Sequence, residues 1–305
     1  MGHSTIAWVF PGQGSQEPGM GRDLFEQSPA AREVFERADA ILGRPLSQLC
    51  FEGPATELGK TSNSQPSIFV TSLACLASAK ETGRLAAAPA FVAGHSLGEY
   101  SALVAVGALD FETGVRLVEA RGRLTQAAAE QSPGKMAAVM GLDEERTAAV
   151  CEETGAEMCN INSSAQIVIG GMVAAVERAC KLALERGAKR AMLLDVGGAF
   201  HTSLMGPAVE PFRALVGEAG LRDASVPLVA NDRAEPISDA ATIAEELVYQ
   251  LTHPVRWVHC VERMAADGVQ TFIEIGPGRV LTGLIKRIAT QAETRNINSM
   301  ASLQA

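Results

Sequence analysis

The sequence lacks several features that would assign it to a familiar class. It has no apolar run approaching the roughly 20 residues needed to cross a bilayer. Its first ten residues, MGHSTIAWVF, have neither a basic nor a long apolar segment, so we expect no signal peptide. None of its six cysteines forms a CxxC pair, which favours reduced cysteines in a cytoplasmic protein and no metal site. Basic residues are too few, 26 against 35 acidic ones, to suggest nucleic acid as the main partner.

What the sequence does contain is an alternation of buried strands and helices. Its 305 residues are 47% hydrophobic and 20% charged, which is typical of a compact globular chain. Strand–helix alternation at this spacing predicts a parallel sheet covered by helices, an α/β fold. The predicted elements outside the middle of the chain are strands at 5–10, 89–94, 226–231 and 271–276, and helices at about 30–42, 64–82, 96–109, 110–131, 239–252, 257–267 and 279–290.

The middle of the chain has a different order of elements. Its pattern predicts a strand at 135–140, a helix at 143–154, strands at 157–161 and 166–170, a helix at 173–187 and a strand at 190–194. This βαββαβ order is that of the ferredoxin-like unit. We therefore expect a small subdomain at 132–199 inserted into a larger α/β subdomain formed by 1–131 and 200–305, and a loose end after about residue 293.

A serine lies between two glycines in Gly94-His95-Ser96-Leu97-Gly98, after a predicted strand and before a predicted helix. Gly-x-Ser-x-Gly in this context matches the nucleophile elbow, a tight turn that side chains would obstruct. The helix N-terminus would favour a developing oxyanion, and the Leu97 N–H is the natural first donor. The alternative is a glycine-rich loop whose serine only caps the helix.

A nucleophilic serine needs a base, and two of the five histidines qualify. His201 lies in VGGAFHTSLM, after the predicted insertion, and His253 precedes a proline at a helix end. The spacing favours His201 without excluding His253. An acidic residue that would orient the histidine is not evident, because Asp195 is predicted to end a strand of the small subdomain; a backbone or amide acceptor could serve instead.

Two further features lie near this chemistry. The loop VFPGQGSQ follows the first strand, so it should lie at the same sheet edge as Ser96, where the Gln13 N–H could help form an oxyanion hole. It lacks the Lys-Ser or Lys-Thr of a phosphate-binding P-loop. In LVEARGRL, either Arg121 or Arg123 taken alone would be read as an ordinary solvated helix arginine.

Several motifs together resemble the malonyl-CoA:acyl-carrier-protein transacylases, including the stand-alone acyltransferases of polyketide synthesis. They agree with that family in order and spacing over nearly the whole chain. The matching segments are FPGQGSQ (10–16), SQPSIF (64–69), GHSLGEYSAL (94–103), VEARGRLTQ (118–126), MAAVMGL (136–142), NINSSAQIVIGG (160–171), GAFHTSLM (198–205), QLTHPVRW (250–257) and EIGPGRVLTGLIK (274–286).

The resemblance implies an α/β-hydrolase-like large subdomain with a ferredoxin-like insertion, and it implies a role for each site residue. Ser96 would be the acyl nucleophile and His201 its base, oriented by the backbone carbonyl of Gln250 rather than by a carboxylate. Gln13 and Leu97 would donate the oxyanion-hole N–H groups, Arg121 would hold the malonyl carboxylate, and Asn162 would line the acyl pocket. One departure is Ser164, where the family often has proline.

The resemblance also implies substrates and partners. We expect malonyl transfer from malonyl-CoA to the phosphopantetheine thiol of a holo acyl carrier protein, by a monomer without a permanently bound cofactor. Relatives that use methylmalonyl commonly have a smaller residue before the histidine and glutamine after the serine, so Phe200 and Leu97 favour malonyl. The alternatives are a trans-acting acyltransferase of polyketide assembly, a hydrolase of acyl thioesters and a non-catalytic module that binds carriers.

Overall fold

The computed structural model describes residues 4–85 and 87–304. Its strands form two separate sheets, one of six strands and one of four. In chain order the strands are β1 (Ile6–Phe10), β2 (Phe91–Gly94), β3 (Gly134–Met140), β4 (Glu157–Ser163), β5 (Gln166–Met172), β6 (Arg190–Leu193), β7 (Leu228–Val229), β8 (Pro236–Ile237), β9 (Thr271–Ile275) and β10 (Glu293–Ile297).

Helices occupy most of the rest of the described chain, and a 3₁₀ turn spans Ser203–Met205. The helices are α1 (Arg22–Gln27), α2 (Pro29–Leu42), α3 (Leu46–Glu52), α4 (Ala55–Leu58), α5 (Thr61–Glu81), α6 (Gly98–Ala105), α7 (Phe111–Gln131), α8 (Glu144–Thr154), α9 (Val173–Glu185), α10 (Gly206–Glu218), α11 (Ala240–Tyr249), α12 (Trp257–Ala266), α13 (Val280–Ile288) and α14 (Met300–Gln304). No helix of the described residues is long and apolar enough to cross a membrane.

The larger sheet has the strand order β10-β9-β1-β2-β7-β8 and is parallel except for β8. Alternate residues of β1 point to opposite faces: Trp8 and Phe10 belong to one hydrophobic core, Ala7 and Val9 to another. Helices therefore cover both faces, which explains why β1 is an almost continuous apolar run. The carboxyl ends of β1 and β2 lie side by side, with Phe10 in register with Gly94.

The smaller sheet is antiparallel, with the strand order β4-β5-β3-β6. Helices α8 and α9 contribute Val150 and Val176 to a core that also contains Ala137 and Val139 of the central strand β3. This βαββαβ arrangement, with the first and third strands in the centre, confirms the predicted ferredoxin-like subdomain.

The prediction of a loose end after about residue 293 is wrong. Strand β10 adds to the edge of the larger sheet beside β9, and α14 follows it. The backbone N–H of Met300 donates to Asp23 Oδ2 at 2.7 Å, which ties the end of the chain to α1. The sequence ETRNI concealed this strand because an edge strand is largely exposed and can be mostly polar.

Several predicted elements are shorter than expected, including one helix and one strand of the larger subdomain. The helix predicted at 96–109 spans Gly98–Ala105, and it begins late because Ser96 and Leu97 form the turn that joins it to β2. The strand predicted at 226–231 narrows to Leu228–Val229, and β8 after it was not predicted. Both differences lie where loops come together at the carboxyl edge of the larger sheet.

Candidate active site

Ser96 lies on a sharp turn between β2 and α6. Its φ angle is 51°, in the left-handed region that side chains other than glycine rarely adopt. The flanking glycines are required by space, since a Cβ on Gly94 would overlap the Gly98 backbone and one on Gly98 would overlap the Phe10 carbonyl. This geometry is that of a nucleophile elbow, in which the serine projects from the sheet edge.

His201 lies directly beside Ser96, 105 residues away in the chain. Its Nε2 is 2.8 Å from Ser96 Oγ, and its Nδ1 is 2.7 Å from the backbone oxygen of Gln250. Since a carbonyl can only accept, Nδ1 carries the proton and Nε2 presents a lone pair to the serine hydroxyl. The other candidate, His253, instead stacks on Tyr249 with ring centroids 3.4 Å apart.

The surroundings of His201 keep its ring neutral. Burial, reinforced by the positive charge of Arg121, lowers the pKa of His201 to about 3. Its φ angle of 61° is also in the left-handed region, so strained backbone occurs on both members of the pair. A neutral, oriented imidazole against a hydroxyl is the arrangement that a general base requires.

Arg121 projects from α7 into the same site and is only 4% exposed. It donates from Nη1 to Gln65 Oε1 at 2.8 Å, and from Nη2 to Gln250 Oε1 at 2.8 Å and Ser96 Oγ at 3.0 Å. The side-chain partners that the described residues supply are thus two amides and one hydroxyl, and none is a carboxylate. A buried cation with neutral partners is suited to bind an anionic group of a ligand.

The predicted oxyanion-hole donors lie on adjoining loops. The loop after β1 is held against the elbow by the His95 N–H, which donates to the Phe10 carbonyl at 3.0 Å. Neither the Gln13 nor the Leu97 backbone N–H has a hydrogen-bond partner among the described residues. Since Gln13 and Ser96 line the same cavity, both N–H groups are candidates to stabilise a tetrahedral oxyanion.

A cavity of about 720 Å³ opens over these groups, between the two sheets. Asn162 and Phe200, both predicted pocket residues, line it together with Gln13, Ser96 and Arg121. The Oδ1 of Asn162 is 2.9 Å from His95 Nε2, so its side chain also fixes the histidine next to Ser96. The cavity is large enough for an acyl group and part of the arm that carries it.

Comparison with known proteins agrees with this geometry. The family model described as "Acyl transferase domain" matches residues 7–304. The malonyl CoA-acyl carrier protein transacylase of Bacillus subtilis is 44% identical over 99% of this chain and 96% of its own length. The Escherichia coli K12 protein of the same name is 42% identical over 99% and 98%. The chain belongs to the malonyl-CoA:acyl-carrier-protein transacylase family.

Solved structures of transacylases have the same fold. The acyl carrier protein S-malonyltransferase of Vibrio cholerae superposes with a TM-score of 0.94, at 41% identity over 99% of both chains. A second neighbour is a malonyl-transacylase in complex with its type II polyketide synthase acyl carrier protein, also with a TM-score of 0.94 and 41% identity, over 98% and 97%. The α/β fold with its small antiparallel subdomain is therefore that of a transacylase, and the chain is an acyltransferase.

Sequence reasoning missed three polar residues of this transacylase site. Gln65 accepts a hydrogen bond from Arg121, and Asn231 accepts the Ser96 N–H through its Oδ1 at 2.6 Å. Glu99 is fully buried and accepts the backbone N–H of Asn231. A signal was present for two of them. Asn231 follows a strand of the parallel sheet, where ligand-binding residues concentrate, and Glu99 is an acidic residue in an otherwise apolar helix.

Proposed function

We propose that this acyltransferase moves the malonyl group from malonyl-CoA to the phosphopantetheine thiol of an acyl carrier protein, through a malonyl ester on Ser96. The observation that carries the proposal is the position of Ser96 Oγ, 2.8 Å from the neutral base His201 and 3.0 Å from the Arg121 guanidinium. A nucleophile, its base and a cation for a carboxylated acyl group thus meet in one cavity.

The first half-reaction forms the ester. His201 Nε2 takes the hydroxyl proton of Ser96 as Oγ attacks the thioester carbonyl of malonyl-CoA. The resulting oxyanion accepts hydrogen bonds from the Gln13 and Leu97 N–H groups, each typically worth about 10²–10³ in rate. The carbon–sulfur bond then breaks, and the thiolate of CoA receives the proton from His201.

The second half-reaction runs the same steps with a different thiol. The phosphopantetheine thiol of the carrier gives its proton to His201, and its sulfur attacks the ester carbonyl. When the bond to Ser96 breaks, the serine oxygen takes the proton back and the malonyl group leaves on the carrier. His201 thus acts as base and then acid in each half, and its bond to the Gln250 carbonyl would stabilise its charged form.

Arg121 supplies the preference for a carboxylated acyl group. Malonyl differs from acetyl by one carboxylate, and a planar guanidinium binds a carboxylate with two parallel hydrogen bonds. Phe200 in the cavity wall would crowd an α-methyl group, and one methyl accounts for about 1–3 kcal/mol of discrimination. We therefore propose malonyl as the preferred acyl group.

The carrier protein and its pathway are expectations of the same proposal. A related structure contains a malonyl-transacylase with its acyl carrier protein, which supports a carrier as the acceptor. Basic residues near the cavity would suit an acidic carrier, and Arg287 both lines the cavity and donates to Gln166. Service in fatty-acid or polyketide synthesis, the cytoplasmic location and the monomeric state stay predictions.

The rival function is hydrolysis of the malonyl ester, and the fate of the acyl group separates the two. Labelled malonyl-CoA is incubated with the wild-type protein and a holo carrier, with S96A and apo carrier as controls. With the wild-type protein we expect the label on the holo carrier and none on the apo carrier. With S96A we expect no label on the holo carrier. Release as free malonate at the same rate with or without the carrier would defeat the proposal in favour of a hydrolase.

A further inference from the structure

One buried carboxylate lies beneath the site and takes no part in the proposed reaction. Glu99, in the first turn of α6, is 0% exposed and lies three residues after Ser96. Its Oε1 accepts a hydrogen bond from the backbone N–H of Asn231 at 2.8 Å, and its Oε2 accepts one from the Gln250 side chain. Both oxygens therefore face donors that belong to residues around Ser96 and His201.

The first connection runs through Gln250 to the base. The side-chain Nε2 of Gln250 donates to Glu99, and its Oε1 accepts from Arg121 at 2.8 Å. The backbone oxygen of the same residue is the acceptor for His201 Nδ1 at 2.7 Å. Fixing the Gln250 side chain thus also fixes the carbonyl that orients the histidine.

The second connection runs through Asn231 to the nucleophile. Asn231 is fully buried, and its Oδ1 accepts the Ser96 N–H at 2.6 Å while its Nδ2 donates to the Gly94 carbonyl at 2.6 Å. These two bonds bridge the strained elbow on either side of His95. Because Glu99 holds the backbone of Asn231, it holds this bridge in place.

We propose that Glu99 is a positioning residue that fixes Ser96 and His201 relative to each other through Asn231 and Gln250. The proposal rests on the Ser–His mechanism above. The role requires a carboxyl group at this position, because both side-chain oxygens of Glu99 must accept a hydrogen bond. A carboxyl group offers this in either protonation state, whereas an amide would place an NH₂ against one donor. Burial and the nearby Glu246 raise the pKa of Glu99, and its two N–H donors and Arg121 oppose this.

The variant E99Q tests the role, with E274Q as its matched control. Glu274 is also buried and accepts backbone N–H groups, those of Leu281 and Thr282, at the start of α13. For E99Q we expect kcat for malonyl transfer to fall about tenfold to hundredfold, a loss typical of misplaced reacting groups, with KM for malonyl-CoA unchanged within about twofold. For E274Q we expect a lower Tm and a kcat within about twofold of the wild type.

A direct readout is the NMR signal of the His201 Nδ1 proton, which reports its hydrogen bond to Gln250. In E99Q we expect this signal to broaden or move upfield, and in E274Q to keep its wild-type position. Two results for E99Q would overturn the proposal. One is a His201 signal and a kcat equal to those of the wild type. The other is a kcat loss no larger than that of E274Q when the two variants lose the same amount of Tm. If E99Q does not fold, Q250A keeps the carbonyl but removes the link to Glu99, and an unchanged His201 signal in Q250A would overturn it.

The NMR comparison also separates this proposal from the proposed function. If the wild-type protein fails to transfer malonyl to a carrier, the proposed function is wrong, yet the His201 signal still shows whether Glu99 orients the histidine. If the wild type transfers malonyl and E99Q matches it in both readouts, the transacylase function stands and only the positioning role fails.

Discussion

Ser96 and His201 hold backbone conformations that cost free energy. Their φ angles of 51° and 61° lie in a region that costs about 1–3 kcal/mol for each residue other than glycine. Hydrogen bonds from neighbours fix both residues: Asn231 accepts the Ser96 N–H, and Gln250 accepts the His201 Nδ1–H. The strain therefore lies on the two groups that the proposed mechanism uses, which is expected where preorganisation serves function.

Replacement of Arg121 tests the carboxylate clamp. For R121A we expect malonyl transfer to fall by about tenfold to hundredfold for each charge-assisted hydrogen bond lost, while acetyl transfer is retained or raised. Transfer rates from malonyl-CoA and acetyl-CoA are the measurement. R123A is the control, because Arg123 is exposed on the same helix and should leave both rates unchanged. Equal losses for both acyl groups in R121A would contradict the clamp.

The titration of His201 tests whether the base is neutral in the free protein. With its pKa lowered to about 3 by burial and by Arg121, the ring should be uncharged at about pH 5. An NMR titration of the His201 ring measures this. The depressed pKa also means that the unfolded chain takes up the proton first, so this residue's contribution to stability is lost as the pH falls from about 6.5 towards 3. A folded-state midpoint near 6.5 would contradict the account.

The sequence predicted single residues of the site unevenly. Ser96 was predictable because the turn around it demands glycines at fixed positions. The choice between His201 and His253, and between Arg121 and Arg123, depended on the family resemblance, since one turn of a helix or one loop conformation decides which side chain faces inward. Glu99 and Asn231 were missed because their contact, between residues 132 positions apart, leaves no local pattern.

At the scale of elements, the elbow depends on the close approach of α6 to the end of β1. A Cβ on Gly98 would overlap the Phe10 carbonyl, so we expect G98A to cost about 1–3 kcal/mol in unfolding free energy, as overpacking does, and to lower transfer activity. Urea denaturation and the transfer assay measure the two effects.

Gly217 in α10 provides the matched control for this glycine. A Cβ there would meet no atom within 4 Å, and the residue lies inside a helix. We expect G217A to keep full activity and to keep or raise stability, because alanine is favoured over glycine in helices by about 1 kcal/mol. If G98A and G217A behaved alike, the close packing at Gly98 would not determine the stability or activity of the elbow.

Elements with a strong hydrophobic period were mostly predictable, but the 13-residue helix α10 was not predicted, and neither were the mostly polar β10 and the two-residue β8. The pattern of α7 and the apolar run of β9 predicted their bounds to within a residue or two. Strand β10 is mostly polar and pairs on one side only, while β8 has two residues, so neither produces a periodic signal. Tertiary pairing with β9 and β7 creates these strands.

At the scale of the molecule, the site cavity lies between two sheets that are formed by different segments of the chain. All four strands of the antiparallel sheet fall between Gly134 and Leu193, so we keep the proposed inserted subdomain at 132–199. The larger sheet carries Ser96, and the smaller sheet contributes Asn162 to the cavity wall. The relative position of the two sheets therefore determines the shape of the acyl pocket.

The buried Glu246 makes whole-molecule stability depend on pH. It is 1% exposed, and burial raises its pKa to about 7, with the Asp232 carboxylate acting in the same direction. The folded protein therefore holds the proton of Glu246 more tightly than the unfolded chain does. The contribution of Glu246 to stability is fully present below about pH 4.5 and is lost as the pH rises through about 7. From pH 5 to 8 we expect the wild type to lose about 1–3 kcal/mol more unfolding free energy than E246Q.

Urea denaturation of both proteins at the two pH values measures this difference. The effect of His201 has the opposite sign, lies at lower pH and is common to both proteins, so it cancels in the comparison. The pKa of Glu99 is raised in part by Glu246, so Glu99 adds to the difference in the same direction. Parallel losses in the wild type and E246Q would mean that Glu246 ionises in the folded protein as easily as in the unfolded one.

In the proposed mechanism the acyl group passes through Ser96 before it reaches the carrier. The most direct measurement mixes the protein with labelled malonyl-CoA in the absence of carrier, quenches it within one turnover and maps the label by peptide mass spectrometry. We expect one malonyl ester on Ser96 and none in S96A. In a parallel sample to which holo carrier protein is added before the quench, we expect the label on the carrier. Carrier labelling with no ester on Ser96, or with full rate in S96A, would contradict this mechanism.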